Sequence, residues 1–142
     1  MMRTLCLLLC VALGAPVAAA FQPSSAISPG AKVFVHPMPN NFDTFFKAAL
    51  SKKKVPVIVV ENPKQAEFEI RGTSESQKAG AAKMIFLGSW HSDEQASISV
   101  TSVDSGEMVF AYSVNKKDSA HGQRSTAEAC AKHLKEAIEK KK

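Results

Sequence analysis

The chain has 142 residues, of which 22% are charged and 45% hydrophobic, and its formal net charge is +5 at pH 7. This length and composition are typical of one globular domain with a modest core, and they exclude a fibrous or wholly disordered protein. The basic residues are not interleaved with stacking aromatic residues, so nucleic acid is excluded as an expected partner.

The first twenty residues have the three parts of a secretory signal peptide. Arg3 supplies the positive charge, residues 5–13 form an apolar segment, and Ala18 and Ala20 are the small residues before a cleavage site. The apolar segment is shorter than the ~20 residues that a membrane helix needs. We therefore predict export to the periplasm or the medium, cleavage near Ala20, and no transmembrane segment in the mature chain.

The sequence divides into three parts. Residues 1–20 are the predicted signal peptide, residues 21–30 are rich in Pro, Ser and Gly and are predicted to be a flexible linker, and residues 31–142 are predicted to form one α/β domain. Cys130 is the only cysteine after the predicted cleavage site. The domain is therefore expected to fold without an intramolecular disulfide.

The domain begins with the pattern of a βαβ unit. An alternating segment over residues 31–37 predicts a first strand. A helix follows, with Asn41 as its N-cap and with an apolar stripe made of Phe42, Phe45, Phe46, Ala49 and Leu50. The β-branched residues 55–60 predict a strand buried on both faces, as in a parallel pair.

The pattern changes at the third predicted strand. Two apolar residues, Phe68 and Ile70, alternate with three charged ones, Glu67, Glu69 and Arg71. One face of this strand is therefore expected to lie on the core and the other in water, as in antiparallel sheets.

Gly72, which follows, is expected to mark a bulge or a close approach of another backbone segment. Later residues predict an antiparallel meander: a short strand over 84–90, a turn over 92–94, and a hairpin of the alternating segments 95–103 and 108–114. Gly106 supplies the positive φ angle that the hairpin turn requires.

A polar loop over residues 116–125 is predicted to lead into a C-terminal helix. Ser125 and Glu128 have the spacing of a capping box. The apolar stripe of this helix consists of Ala127, Cys130, Ala131, Leu134, Ala137 and Ile138. A cysteine on such a stripe is usually a small buried hydrophobe, and cross-linking to another chain is the alternative if Cys130 is exposed.

Together these elements predict an α+β (or α/β) fold, in which a βαβ unit precedes an antiparallel meander. The mixed sheet has about five or six strands and is packed by two main helices. The segments "AEFEIRG" (66–72) and "VDSGEMVF" (103–110) within this succession resemble small α/β domains of bacterial envelope proteins. Examples are the amino-terminal domain of TolB, the curli secretion protein CsgG and the penicillin-binding-protein activator LpoB. The resemblance implies a non-enzymatic envelope module and carries over no catalytic residue.

The expected function is binding to another envelope protein or to a cell-wall component. The charged side of the third strand (Glu67, Glu69 and Arg71) is the candidate binding surface, together with Trp90 at the end of a predicted edge strand. Trp90 is equally consistent with a half-buried core position.

The alternative is a small metal- or ligand-binding protein, or a weak hydrolase. Its candidate residues are His91, Asp93, Glu94 and His121. Neither the tight ligand spacing of a zinc site nor the glycine elbow of a serine hydrolase is present in the sequence. We therefore predict no metal site, no cofactor and no catalytic residue.

Overall fold

A computed structural model describes residues 26–78, 92–119 and 121–140. In chain order its main elements are β1 Ala31–Val35, α1 Phe42–Lys52, β2 Val57–Val59, β3 Phe68–Lys78, β4 Ser92–Ser102, β5 Met108–Ser119 and α2 Gln123–Glu139. Two single 3₁₀ turns, Pro39–Asn41 and Pro63–Gln65, precede α1 and β3. The predicted signal peptide (1–20) and the predicted strand over 84–90 lie outside the described residues.

The strands form one mixed sheet in the order β2-β1-β3-β4-β5. β1 is parallel to both β2 and β3, whereas β3–β4 and β4–β5 are antiparallel. The change from parallel to antiparallel pairing therefore occurs at β3, where the sequence pattern predicts it. The mixed sheet, the opening βαβ unit and the two main helices are all confirmed.

The core lies between the sheet and the two helices. The apolar side chains of β1, β3 and β4 that face the helices are buried, among them Val33, Ile70 and Val100. Phe46 of α1 and Leu134 of α2 are buried against them. The core also includes Cys130, as predicted for a small hydrophobe on the stripe of α2.

Gly72 allows a close approach of neighbouring segments to β3. A Cβ atom at this position would lie 2.5 Å from the backbone oxygen of Ser97 and 3.0 Å from Met38 Sδ. The turn before α1 passes over β3 here, and Asn40 Nδ2 donates a hydrogen bond to the backbone oxygen of Ser74 (2.8 Å). The predicted close approach at Gly72 is confirmed.

Two predicted core positions are at the surface instead. Ile58 is 51% exposed because it pairs with the exposed Lys32 of β1 and so points away from the buried side of β1, which carries Ala31 and Val33. The prediction that this strand is buried on both faces was therefore wrong. Phe45 is 36% exposed, because the buried stripe of α1 runs through Phe42, Phe46, Ala49 and Leu50 and leaves Phe45 on its flank.

Both long antiparallel strands extend beyond their predicted limits. Residues 92–94, predicted as a turn, begin β4, and the predicted loop over 116–125 is divided between β5 and α2. The cause is that these strand ends carry polar residues, such as Glu94 opposite Lys116, which look like loop residues in the sequence.

Neither predicted helix cap is formed as expected. Asn41 precedes α1 but has a left-handed backbone (φ 56°) and makes no side-chain capping bond; instead Asp43 Oδ1 accepts a bond from the amide of Met38 (3.1 Å). Ser125 lies inside α2, whose N-cap is Gly122. Glycine fits that position because its φ angle is +56°, a region that other residues rarely adopt.

The hairpin between β4 and β5 contains a bulge. Val100 pairs with Phe110, but the next residue, Thr101, pairs with Met108. This shift moves Met108 off the covered side of the sheet, where strict alternation would place it, and leaves it 64% exposed. Gly106 has the predicted positive φ angle of 70°.

The packed part of the chain begins before Ala31. Ile27, within the segment 21–30 that the sequence analysis assigned to a linker, is buried in the core. The amide of Gly30 donates a 2.7 Å hydrogen bond to the backbone oxygen of Pro56. These contacts fix residues 27–30 to the start of β2.

Candidate binding face

The helices cover one side of the sheet, and within the described ranges no helix packs on the other. We call this second side the open face. It is formed by outward side chains of β3, β4 and β5: Arg71, Thr73, Ser97, Ser99, Ala111 and Ser113. The antiparallel register brings these residues together, because Arg71 lies opposite Ser99, and Ser99 lies opposite Ala111. Similarly, Thr73, Ser97 and Ser113 form a row across three strands.

The open face holds a shallow depression of about 580 Å³. Most of its lining side chains are small, so the sheet surface itself forms the floor. Thr73 Oγ1 and Ser97 Oγ lie 2.7 Å apart and share a hydrogen bond across the strand pair. The β4 and β5 residues of this face were not among the predicted site residues, although their alternation of hydroxyl and apolar residues is visible in the sequence.

A charged cluster lies beside this depression, where β1 ends next to β3. Glu69 Oε2 lies 2.9 Å from His36 Nε2 and 3.3 Å from Arg71 Nη2. The parallel register places His36 there, because its amide donates a 2.9 Å bond to the backbone oxygen of Ile70. We call His36, Glu69 and Arg71 the charged cluster.

The charged cluster changes the acidity of its carboxyl group. The hydrogen bond with His36 lowers the pKa of Glu69, and the contact with Arg71 adds to the effect, while partial burial acts in the opposite direction. Arg71 is mostly exposed, so its guanidinium is available to a partner.

Glu67, the third charged residue of the predicted surface, has a structural contact. Its Oε2 accepts a 3.0 Å hydrogen bond from the amide of Lys32, which ties the start of β3 to β1. The structure therefore brings Glu69 and Arg71 into one cluster, whereas Glu67 is hydrogen-bonded to the backbone of Lys32 instead. Trp90 lies outside the described residues, and its predicted role stays a prediction.

The residues of the alternative hypothesis lie in different environments. Asp93 is exposed, whereas the neighbouring Glu94 is 2% exposed and lies close to Gly122, at the start of α2. His121 is exposed next to that glycine, and His91 lies outside the described residues. Within residues 26–78, 92–119 and 121–140, no group of three His, Cys, Asp or Glu side chains is placed to hold a metal ion.

Comparison with known proteins identifies the fold. No protein-family model matches the chain, and no curated protein is significantly similar in sequence. A solved PelC dodecamer from Paraburkholderia phytofirmans has a similar fold, with a TM-score of 0.58 and 16% identity over 80% of this chain and 91% of that one. TolB from Acinetobacter baumannii is also similar, with a TM-score of 0.54 and 10% identity over 81% of this chain and 30% of TolB.

These similarities confirm the predicted resemblance to TolB at the level of the fold. The resemblance to CsgG and LpoB stays a prediction. In the part of the chain that the structure describes, no helix has both the length and the apolar character needed to cross a bilayer.

Proposed function

We propose that this chain is an exported, non-enzymatic module of the bacterial envelope that binds another protein through its open face. The observation that carries the proposal is the open face itself, a polar sheet surface with a shallow depression and a preformed charged cluster at its side. The fold shared with TolB and PelC supports the envelope assignment.

The two parts of the surface have different tasks in this proposal. The small side chains of the depression let a partner segment approach the sheet closely and pack against it. The charged cluster selects and orients that segment, since exposed charges mainly set the association rate and the specificity of a complex. Arg71 is the main contact for a partner carboxylate, because its guanidinium presents several donors in a planar fork.

Site-specific photo-cross-linking in living cells tests the binding face. A photoreactive residue at Ser113, on the open face, is compared with one at Ser51, an exposed serine of α1. The proposal expects one protein to be captured from Ser113 and not from Ser51. Equal capture from both positions, or capture of glycan alone, contradicts a protein-binding open face.

The captured protein is then purified and its affinity measured with charge-reversed variants. Arg71→Glu is expected to weaken binding by about tenfold or more, the effect of losing a hydrogen bond to a charged group. Lys140→Glu, the same charge change at an exposed position beyond α2, is the matched control. An equal loss in both variants means that only net charge matters and contradicts the assigned site.

The export assignment has its own test. The protein is isolated from cell fractions, and its first residues are determined by N-terminal sequencing. We expect the mature chain to begin at Phe21 and to be recovered outside the cytoplasm. An intact N-terminus in the cytoplasmic fraction contradicts export but leaves the binding test unaffected.

A further inference from the structure

A second surface, on the side of the sheet that the helices cover, has a different chemistry. The C-terminal end of α1, the first half of α2 and the end of β5 enclose a groove of about 560 Å³. Five cationic side chains line it: Lys52, Lys53, Lys116, Arg124 and Lys132. We call it the basic groove.

Positive charge predominates in the basic groove. Among the described residues that line it, Glu128 is the one carboxylate. It is shared by two of the lysines: its oxygens lie 2.6 Å from Lys52 Nζ and 3.1 Å from Lys53 Nζ. Glu94, opposite Lys116 in the strand register, is a buried carboxylate behind the groove. A third carboxylate, Glu136, lies 3.8 Å from Lys132 Nζ and 3.4 Å from His133 Nδ1. The five cations still outnumber these three carboxylates.

Several of these cations are held in place before any ligand arrives. Lys116 Nζ donates a 2.8 Å hydrogen bond to Ser125 Oγ, which fixes it beside the first turn of α2. Glu128 fixes the ends of Lys52 and Lys53 in the same way. Backbone N–H groups at the start of a helix add a partial positive charge on this side. A site with preordered cations loses less conformational entropy when an anion binds.

The groove also has an apolar wall. The rings of Tyr112 and His133 are stacked, with centroids 4.1 Å apart and planes inclined by 24°, and Val114 and Ala129 lie beside them. A ligand that fits must therefore present an anionic group to the cations and a compact organic part to this wall. The volume is in the range of about 300–1,000 Å³ that is usual for small-molecule sites.

We propose that the basic groove binds a small phosphate-bearing organic molecule, with its phosphate on Lys116 and Arg124 and its organic part on Tyr112. Phosphate fits better than a single carboxylate, since its charge and its several oxygens match cations that converge from three elements. The same chemistry occurs in soluble sugar phosphates and in phospholipid headgroups. This site is independent of the proposed open-face function.

Calorimetric titration of the full chain tests the soluble source. Glucose 6-phosphate is the probe, and glucose and sulfate are the controls for its sugar and its charge. We expect glucose 6-phosphate to bind and to raise the melting temperature, because a ligand that binds only the native state stabilises it. Comparable binding of glucose, or of sulfate, overturns the proposal of an organic phosphate site.

Sedimentation with vesicles tests the lipid source. Phosphatidylglycerol vesicles carry a net negative phosphate group, and phosphatidylcholine vesicles are the matched neutral control. Binding to phosphatidylglycerol vesicles alone, if Lys116→Gln and Arg124→Gln weaken it, supports the site and assigns it to a lipid headgroup. Absence of binding to both glucose 6-phosphate and phosphatidylglycerol overturns the proposal.

Three single substitutions locate the binding. Lys116→Gln and Arg124→Gln each remove a groove cation. We expect each to weaken binding by about tenfold or more, measured with whichever of glucose 6-phosphate or phosphatidylglycerol binds the wild type. Lys135→Gln is the control: it removes the same charge from α2, at a lysine that pairs with Glu139 and does not line the groove. An equal effect in Lys135→Gln overturns the proposal. Circular dichroism of each variant confirms that a loss of binding is not a loss of folding.

Discussion

The two faces of the sheet, which share the same strands, have opposite physical characters. The covered face carries Val33, Ile70, Ile98 and Val100, all nearly inaccessible to water. The open face of those strands carries hydroxyl groups and charges. Adjacent side chains of a strand point to opposite faces, so one alternating sequence encodes both surfaces. The comparison teaches that stability is concentrated on the covered face, whereas the proposed binding role belongs to the open face.

The largest predicted effect is at Gly72, where the covered face has no space for a side chain. We expect Gly72→Val to cost more than about 4 kcal/mol and to prevent stable folding, because its Cβ atom collides with the backbone of Ser97. Urea denaturation followed by circular dichroism measures the loss. Gly106→Ala is the control: no atom lies within 4 Å of its Cβ position, so only the positive φ angle costs about 1–2 kcal/mol. A Gly72→Val protein with the stability of the wild type contradicts the close approach.

The next effect separates two neighbouring phenylalanines of α1. Phe46 is fully buried, so Phe46→Ala is expected to cost about 3–5 kcal/mol through lost burial and a cavity. Phe45 is at the surface, so Phe45→Ala is expected to cost less than about 1 kcal/mol. Both free energies of unfolding come from the same urea titration. Similar losses in the two variants contradict the orientation of α1.

Cys130 provides a chemical probe of the covered face. Burial raises the pKa of its thiol to about 12, so the native protein is expected to resist alkylation at pH 8, whereas the urea-unfolded protein reacts. In the unfolded chain the thiol ionises near its ordinary pKa of 9.0, so its contribution to stability is complete below that pH. It is then lost progressively as the pH rises toward 12.

The control variant replaces the thiol of Cys130 with a hydroxyl group of similar size. Cys130→Ser is expected to cost about 1–3 kcal/mol, because it places a more polar group in the core. Its stability is also expected to fall less steeply than that of the wild type above pH 9.0. Rapid alkylation of the native thiol at pH 8 contradicts its burial.

The smallest effect is on the open face. Glu69→Gln is expected to cost at most about 1 kcal/mol at pH 7, because solvent screens ion pairs near the surface. The pKa of Glu69 is lowered in the native state by His36, so its carboxylate stabilises the fold above its ordinary pKa of 4.5. That contribution is lost as the pH falls through the lowered value. Urea titrations of both proteins at pH 7 and pH 3 measure the difference, and an equal difference at both pH values contradicts the prediction.

The covered face was predictable from the sequence and the edges of the fold were not. The alternation around Ile70 has the period of a strand, and the stripe through Cys130 has the period of a helix. Such patterns appear in the sequence wherever one side of an element is buried. The exposure of Ile58 depends instead on which side of the sheet the helices cover, and that is a property of the whole fold. The exposure of Met108 was not predictable for a similar reason, since a bulge shifts the alternation of side chains without a clear sequence signal.

The binding surfaces were predictable only in part. Glu69 and Arg71 are two residues apart on one strand, so local alternation places them on the same side. His36 joins them through the register of β1 and β3, which the sequence analysis did not fix. The basic groove was not predictable, because Lys52, Lys116 and Arg124 come from three distant elements. The lysines at the end of α1 are also explained locally by the preference of helix C-termini for cations.

The packing of α1 against α2 joins two helices that the ribosome makes at different times. Lys52 and Glu128, which join the two helices, are 76 positions apart, and α2 follows every other element that the structure describes. A ribosome must therefore add these 76 positions after Lys52 before the two helices can be joined by this ion pair. A growing chain without α2 lacks the helix that packs on β4 and β5, so part of the apolar sheet surface has no cover. In the proposed export route the chain crosses a membrane as an extended thread, and the late arrival of α2 favours that unfolded state.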